Sequence, residues 1–238
     1  MGIEIIIIRM RGGKEKLMHL FFKIFLAACI SIIQVIRLGY AQKREINIVQ
    51  FPVSLEKEVF RELNLARQNP KKYASFLEQL KPYYVGKFIK RPDEPTIMTE
   101  EGVSAVDEAI RFLKSAKSVA PLIYSKGMSK AAMDHVKDQG QRGMLGHRGS
   151  DRSQPGDRVN RYGSWRWTVG ENISYGRDKA RDIVIGLIID DGVPGRGHRD
   201  NIFNSSYRFV GVACGNHKTF GMMCVITFAR EFIEKRGK

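Results

Sequence analysis

Two histidines and one glutamate in this sequence have the settings that chemistry needs. His147 lies in Leu145-Gly-His-Arg-Gly-Ser-Asp151, and His198 lies in Gly195-Arg-Gly-His-Arg-Asp-Asn-Ile202. An imidazole among glycines belongs to a loop, where backbone passes close to a neighbour and the side chain projects. Glu171, in Gly170-Glu-Asn-Ile-Ser174, enters a stretch that reads as an internal strand. A carboxylate there needs a partner, because burying it alone is costly. Two neutral imidazoles with carboxylates suit a borderline divalent metal. They equally suit general acid and base work. The alternative is that each imidazole only caps its own loop.

The other titratable candidates read differently. His135 shares a helical face with Met128, Ala132 and Gln139 and reads as a packed structural residue. His217 falls in a polar hairpin loop and reads as solvated. Ser125 and Ser150 have no Gly-x-Ser-x-Gly context, so nothing local supports a serine hydrolase.

The elements that must position these residues follow from periodicity. Ser54 precedes a helix with Val59, Phe60, Leu63 and Ala66 on one face, and Asn69-Pro70 breaks it. A second helical segment carries Tyr73, Phe76, Leu77 and Leu80. Residues 81–98, with Pro82, Pro92 and Pro95, read as loop. A third helix is expected after Thr99, and another from Ser125 or Ser129 to Gly140. Pro155 opens a short helix that Gly163 is expected to close. Residues 172–175 read as a short strand, and 178–190 as a helix. Val210 to Gly215 and Met222 to Ala229 read as the two strands of a hairpin. Helices first, then strands with a helix between them, suggest a small antiparallel sheet covered by helices.

Composition narrows the class. The chain has 238 residues, 43% hydrophobic and 27% charged, enough for one good-sized domain. Its formal net charge of +15 favours acidic surfaces such as anionic lipid or cell-wall polymer, or simply solubility. The basic residues are scattered, and no nucleic-acid-binding pattern is present.

The N-terminal stretch reads as an export signal. A basic stretch from Arg9 to Lys23 precedes an apolar run from Ile24 to Ile36, and Gly39-Tyr-Ala41 offers a cleavage site. The run is short of the roughly 20 residues that span a bilayer. Residues 1–41 are therefore expected to be a signal peptide or anchor, and 42–238 one domain. Leu26-Ala-Ala-Cys29 also resembles a lipoprotein box, and Met10 or Met18 are alternative starts. Cys214 and Cys224 follow this segment, equally far from the centre of the hairpin, and an exported pair so placed suggests a disulfide. The alternative is two buried thiols.

Taken in order, Leu63-Asn-Leu-Ala-Arg-Gln-Asn-Pro70, His147, Gly170-Glu-Asn-Ile, Gly197-His-Arg-Asp-Asn-Ile202, Gly211-Val-Ala-Cys-Gly215 and Cys224-Val-Ile-Thr-Phe-Ala229 resemble a CAP (SCP-like) domain of the microbial type. The resemblance runs from about Val53 to Arg230. It implies an α+β fold, an α-β-α sandwich with a small twisted antiparallel sheet between helical layers. It implies a cleft with two histidines, His147 and His198, that can hold a divalent metal, zinc above all. Glu171 matches the first acidic position, and the second falls at Asp190-Asp191, where the family usually has glutamate. Helix phase favours Asp190 over Asp191. The implied protein is secreted or periplasmic. It binds a lipid or cell-envelope ligand in the cleft, or alternatively works as a metal-assisted hydrolase with Glu171 as base. No nucleic-acid partner is implied, and membrane contact is expected through residues 1–41 if they are retained.

Overall fold

The computed structural model describes residues 54–235. The expected export segment, its cleavage site and the lipoprotein box lie outside the described residues. Among the described residues no helix is long and apolar enough to cross a membrane.

Helix α1 (Leu55–Gln68) buries Val59, Leu63 and Ala66, spaced to fall on one face. Ser54 starts it through its carbonyl and adds no side-chain cap. Pro70 then opens α2 (Pro70–Glu78), where its missing N–H costs nothing. The following segment is not plain loop. It contains three two-residue strands, β1 (Tyr84–Val85), β2 (Phe88–Ile89) and β3 (Ile97–Met98), in one small antiparallel sheet. Their brevity and the surrounding prolines hid them from a periodicity argument. Helix α3 (Val103–Ser115) begins later than Thr99. Asp191 accepts from the backbone N–H groups of Glu100 and Glu101 at 2.6 and 2.9 Å, holding those residues in the approach to the helix.

The main sheet has the order β4–β6–β7–β5, where β4 is Ile123–Tyr124, β5 Gly163–Tyr175, β6 Phe209–His217 and β7 Gly221–Glu234. The three long strands are antiparallel, and β4 pairs with β6 in parallel. The β5 strand is much longer than residues 172–175. Gly163 opens it instead of closing a helix, and a bulge between Arg166 and Val169 lets both halves pair with β7.

Alternation along the central strands sends successive side chains to opposite faces. Val210, Val212, Cys214, Cys224, Ile226 and Phe228 join a core with α1, α2, α3 and α6 (Ala180–Ile189). Ala213, Met223 and Val225 pack on the other face against α4 (Lys126–Arg142). A sheet buried on both faces by helices is the expected α-β-α sandwich. Helix α4 lies close upon it: a Cβ at Gly211 would run into the Met128 backbone. Cys214 and Cys224 face each other across the β6–β7 hairpin and are joined as a disulfide.

Candidate functional site

The site is built around β5, which is an edge strand of the main sheet. Glu171 and Asn172 are successive residues on it, so their side chains leave opposite faces. Glu171 faces the α4 layer with Ile173, and Asn172 faces the layer of α6 and α7 (Gly197–Phe203).

On the first face the Glu171 carboxylate is almost fully buried and doubly held. Arg158, from the short helix α5 (Pro155–Asn160), is buried with it and donates Nη2–H to Oε1 and Oε2 at 3.0 and 2.8 Å. His147 Nδ1 lies 3.0 Å from Glu171 Oε1. A carboxylate accepts, so the imidazole donates from Nδ1, and in its neutral form Nε2 carries the lone pair. The His147 side chain is 47% exposed.

On the second face His198 Nδ1 donates to Asp190 Oδ1 at 2.6 Å, and the His198 backbone N–H donates to Oδ2 at 2.9 Å. Asp190 is buried and closes α6 in the left-handed region (φ 55°), which aspartate tolerates better than most residues. Asp191 points away, to the α3 approach. His198 sits in the first turn of α7, not in a loop. Asn172 Nδ2 donates to the His198 carbonyl at 2.9 Å, and Asn201 Nδ2 donates to Asn172 Oδ1 at 2.8 Å. The two histidine–carboxylate pairs thus flank one edge strand, tied to neighbouring residues of it.

The loop bearing His147 is fixed by side chains from below. His135 Nε2 donates to the Gly146 carbonyl at 2.9 Å, and Tyr175 Oη accepts from the Gly146 N–H at 3.1 Å. Gln139 donates to the Arg148 carbonyl at 3.1 Å. Gly146 has φ 95°, a conformation that requires glycine just before the imidazole. His217 belongs to the same scaffold and corrects the expectation of a solvated residue. It is buried, donates Nε2–H to the Met144 carbonyl at 2.9 Å and accepts at Nδ1 from the N–H groups of Thr219 and Phe220.

His135 carries a measurable consequence. Its Nδ1 is buried without a partner, and burial pushes its pKa below the ordinary value, outweighing the nearby Glu171 carboxylate. The unfolded imidazole protonates near pH 6.5 and the folded one at a lower pH, so the unfolded state gains protons first on acidification. Stability is therefore full above about pH 7 and falls as pH drops through about 6.5 towards the folded value. Thermal unfolding between pH 8 and 5 should show this decline. His135→Gln, which keeps a donor for Gly146, should flatten it. An unchanged slope in that variant would assign the decline elsewhere.

A second network locks the segment that carries Asp190 and His198. Arg196 pairs with Glu101 and Glu108 and donates Nη1–H to the Asp190 carbonyl at 2.7 Å. Its guanidinium, with the Gly192 N–H, holds the Glu101 carboxyl at about 2. A hollow of about 740 Å³ lies beside this segment, lined by Glu101, Glu108, Phe112, Arg196 and Arg199. None of the four residues of the histidine–carboxylate pairs lines it.

Sequence reasoning singled out His147, Glu171, His198 and Asp190, and the structure places them in these two pairs. It missed Arg158, Asn172 and Asn201. The one available signal was the demand of a buried carboxylate for a cation. Among the described residues no three His, Cys, Asp or Glu side chains converge as a ready metal-ligand set.

Comparisons with known proteins bear on the family. Among solved structures, an extracellular protein containing an SCP domain from Bacillus anthracis str. Ames is 21% identical with a TM-score of 0.39, over 48% of this chain and 35% of that one. This chain thus spans about a third of the length of that relative. An outer surface protein from Borrelia burgdorferi is 15% identical with a TM-score of 0.40, over 47% of this chain and 78% of that one. A cysteine-rich secretory protein from Staphylococcus aureus subsp. aureus Mu50 is 14% identical with a TM-score of 0.35, over 66% of this chain and 48% of that one. A search of curated proteins finds no match. The family model of the CAP, or cysteine-rich secretory protein, family matches residues 61–228, from within α1 to within β7 and including both histidine–carboxylate pairs, and the chain belongs to that family.

Proposed function

We propose that this is an exported CAP-domain protein that binds a cell-envelope or lipid ligand at the edge of β5, with His147 and His198 able to hold a divalent metal. The observation that carries the reading is shared by both histidines. Each has Nδ1 committed to a buried carboxylate and Nε2 without a hydrogen bond among the described residues. A carboxylate behind Nδ1 is how metal-ligating histidines are commonly oriented and made more basic. We take His147 and His198, through their Nε2 atoms, as the residues that would hold such an ion, zinc above all. When bound, such an ion would supply a Lewis acid to an oxygen of the ligand.

Binding is favoured over hydrolysis for a specific reason. Glu171 already accepts from Arg158 through both oxygens and from His147 through one. A carboxylate so engaged orients an imidazole and is poorly placed to take a proton from water. Catalytic zinc sites also usually have three protein ligands. Export rests on the apolar run of residues 24–36, and the net charge of +15 suits an anionic envelope.

The test is calorimetric zinc titration of the full chain beside H147A, H198A and E171Q. Loss of binding in either alanine variant, with about 10–100-fold weakening in E171Q, supports the reading. Equal zinc affinity in all four proteins would overturn it.

A further inference from the structure

Both nitrogens of His217 are committed, and they join two separate loops. Nε2–H donates to the carbonyl of Met144, in the loop that bears His147. Nδ1 accepts from the backbone N–H groups of Thr219 and Phe220 at 3.2 Å each, in the tip of the β6–β7 hairpin. That tip rests directly on the start of the loop. The Lys218 N–H donates to the Gly140 carbonyl at 2.8 Å, and a Cβ at Gly143 would run into Thr219 Oγ1. The imidazole packs against the rings of Tyr175 and Phe220, with centroids 5.3 Å away in each case. Tyr175 in turn accepts from the Gly146 N–H, so this cluster holds the loop at Met144 and at Gly146, just before His147.

One protonation state satisfies these bonds. A neutral imidazole has one N–H and one lone pair, and here the carbonyl takes the first and the two amides take the second. A proton on Nδ1 would aim a third N–H at two others, and a buried amide that loses its acceptor is costly. The joined arrangement therefore excludes the imidazolium, whereas an imidazole released to water accepts a proton. Acid thus favours release. Histidine is the side chain whose charge changes between about pH 5 and 8. Its neighbours leave that choice to His217. Tyr175 keeps its proton over the range, because burial raises its pKa. Asp138 and Arg142, on the α4 turn packed here, pair with each other. Lys218 in the tip and Arg148 in the loop are cations, and neither stabilises a second positive charge. Among the described residues the carboxylate-paired histidines are His147 and His198, not His217.

We propose that His217 is a proton-operated latch on the loop that presents His147. Neutral, it clamps the hairpin tip to residues 143–148. Protonated, it lets both go. The device needs no metal and no ligand at the β5 edge, so it stands or falls apart from the binding reading.

The test is hydrogen exchange of the full chain at about pH 7.5 and about pH 5, read separately for residues 216–221 and 143–148, in wild type and in H217Q. Glutamine can donate to the Met144 carbonyl and accept from the tip, but it does not titrate. Taking the ratio of the two proteins at each pH removes the intrinsic pH dependence of exchange. That ratio should be about one at the higher pH and rise about tenfold or more at the lower, in both segments, as two buried hydrogen bonds are lost. H217F makes neither bond and should exchange fast at both pH values. His135 also holds this loop, so the comparison is repeated with H135Q in both proteins, where the rise should persist. A ratio that stays flat overturns the proposal. So does a rise spread evenly over the whole fold, which would be global unfolding, or a rise that H135Q abolishes, which would assign the proton to His135. If H217Q is itself loose at the higher pH, nuclear magnetic resonance of the wild-type His217 ring decides. Its titration midpoint should coincide with the loss of protection in both segments, and separate midpoints overturn the latch.

Discussion

Replacing Arg158 with leucine should destabilise the protein by about 3–5 kcal/mol, because removing one partner of a buried ion pair strands the other. Glu171 would keep His147 as its neighbour, but its side chain has almost no access to water to replace the two lost N–H donors. Its carboxylate must then take up a proton or draw water into the sandwich. The double change Arg158→Leu with Glu171→Leu should recover most of the loss, since well-packed apolar pairs often replace buried ion pairs at little cost. Zinc affinity should not recover, because His147 then lacks its Nδ1 acceptor. Urea unfolding of the single and double variants measures the first two effects, and titration of the double variant the third. A loss under about 1 kcal/mol in R158L would show that the pair is not the keystone of this face.

Arg67→Met should have an effect of similar size for a different reason. Arg67 is fully buried near the end of α1 and has no ion pair among the described residues. Its guanidinium instead donates to four backbone carbonyls, those of Ala120, Ile202, Asn204 and Tyr207, at 2.6 to 3.2 Å. Burial draws its pKa down to about 10, still far above neutrality. Methionine fills the space and removes the donor from all four carbonyls, of which Asn204 keeps a bond from the Tyr207 N–H, at about 1–3 kcal/mol for each that is left unpaired out of reach of water. A total near 4 kcal/mol is expected in urea unfolding. Ile202 ends one turn after His198, so hydrogen exchange should rise across residues 197–207 before the rest of the fold opens. Uniform protection there would mean that Arg67 fills space and orders nothing.

Much of this arrangement was legible in the sequence. The apolar faces of α1 and α3, the Asn69-Pro70 break and the C-terminal hairpin with its cysteines follow from periodicity and turn chemistry. His147, Glu171 and His198 stood out as polar residues in settings that need a reason. Arg158 did not, because Pro155-Gly-Asp-Arg reads as any solvated helical turn, and its partner lies thirteen residues away. No period links such a pair. His217 was misread because a polar hairpin loop looks exposed until another loop folds over it, as the Met144 segment does. The β1–β3 strands were missed because two residues carry no periodicity, and β5 was underestimated because its bulge at Trp167 breaks the alternation.

Glu171 and Asn172 hold their respective histidine segments from opposite faces of one strand, and this makes the site a caliper. One jaw rides on the α4 layer, the other on the α6–α7 layer, and the edge strand is the fixed spine between them. The separation of the imidazoles would then follow how thick each helical layer packs on its face of β5. A change of side-chain volume deep in either core, such as at Ile173 or Ile188, moves one jaw relative to the other. If the two imidazoles hold an ion as proposed, its affinity would be tuned from a distance by repacking, with His147, Glu171, Asp190 and His198 all left in place.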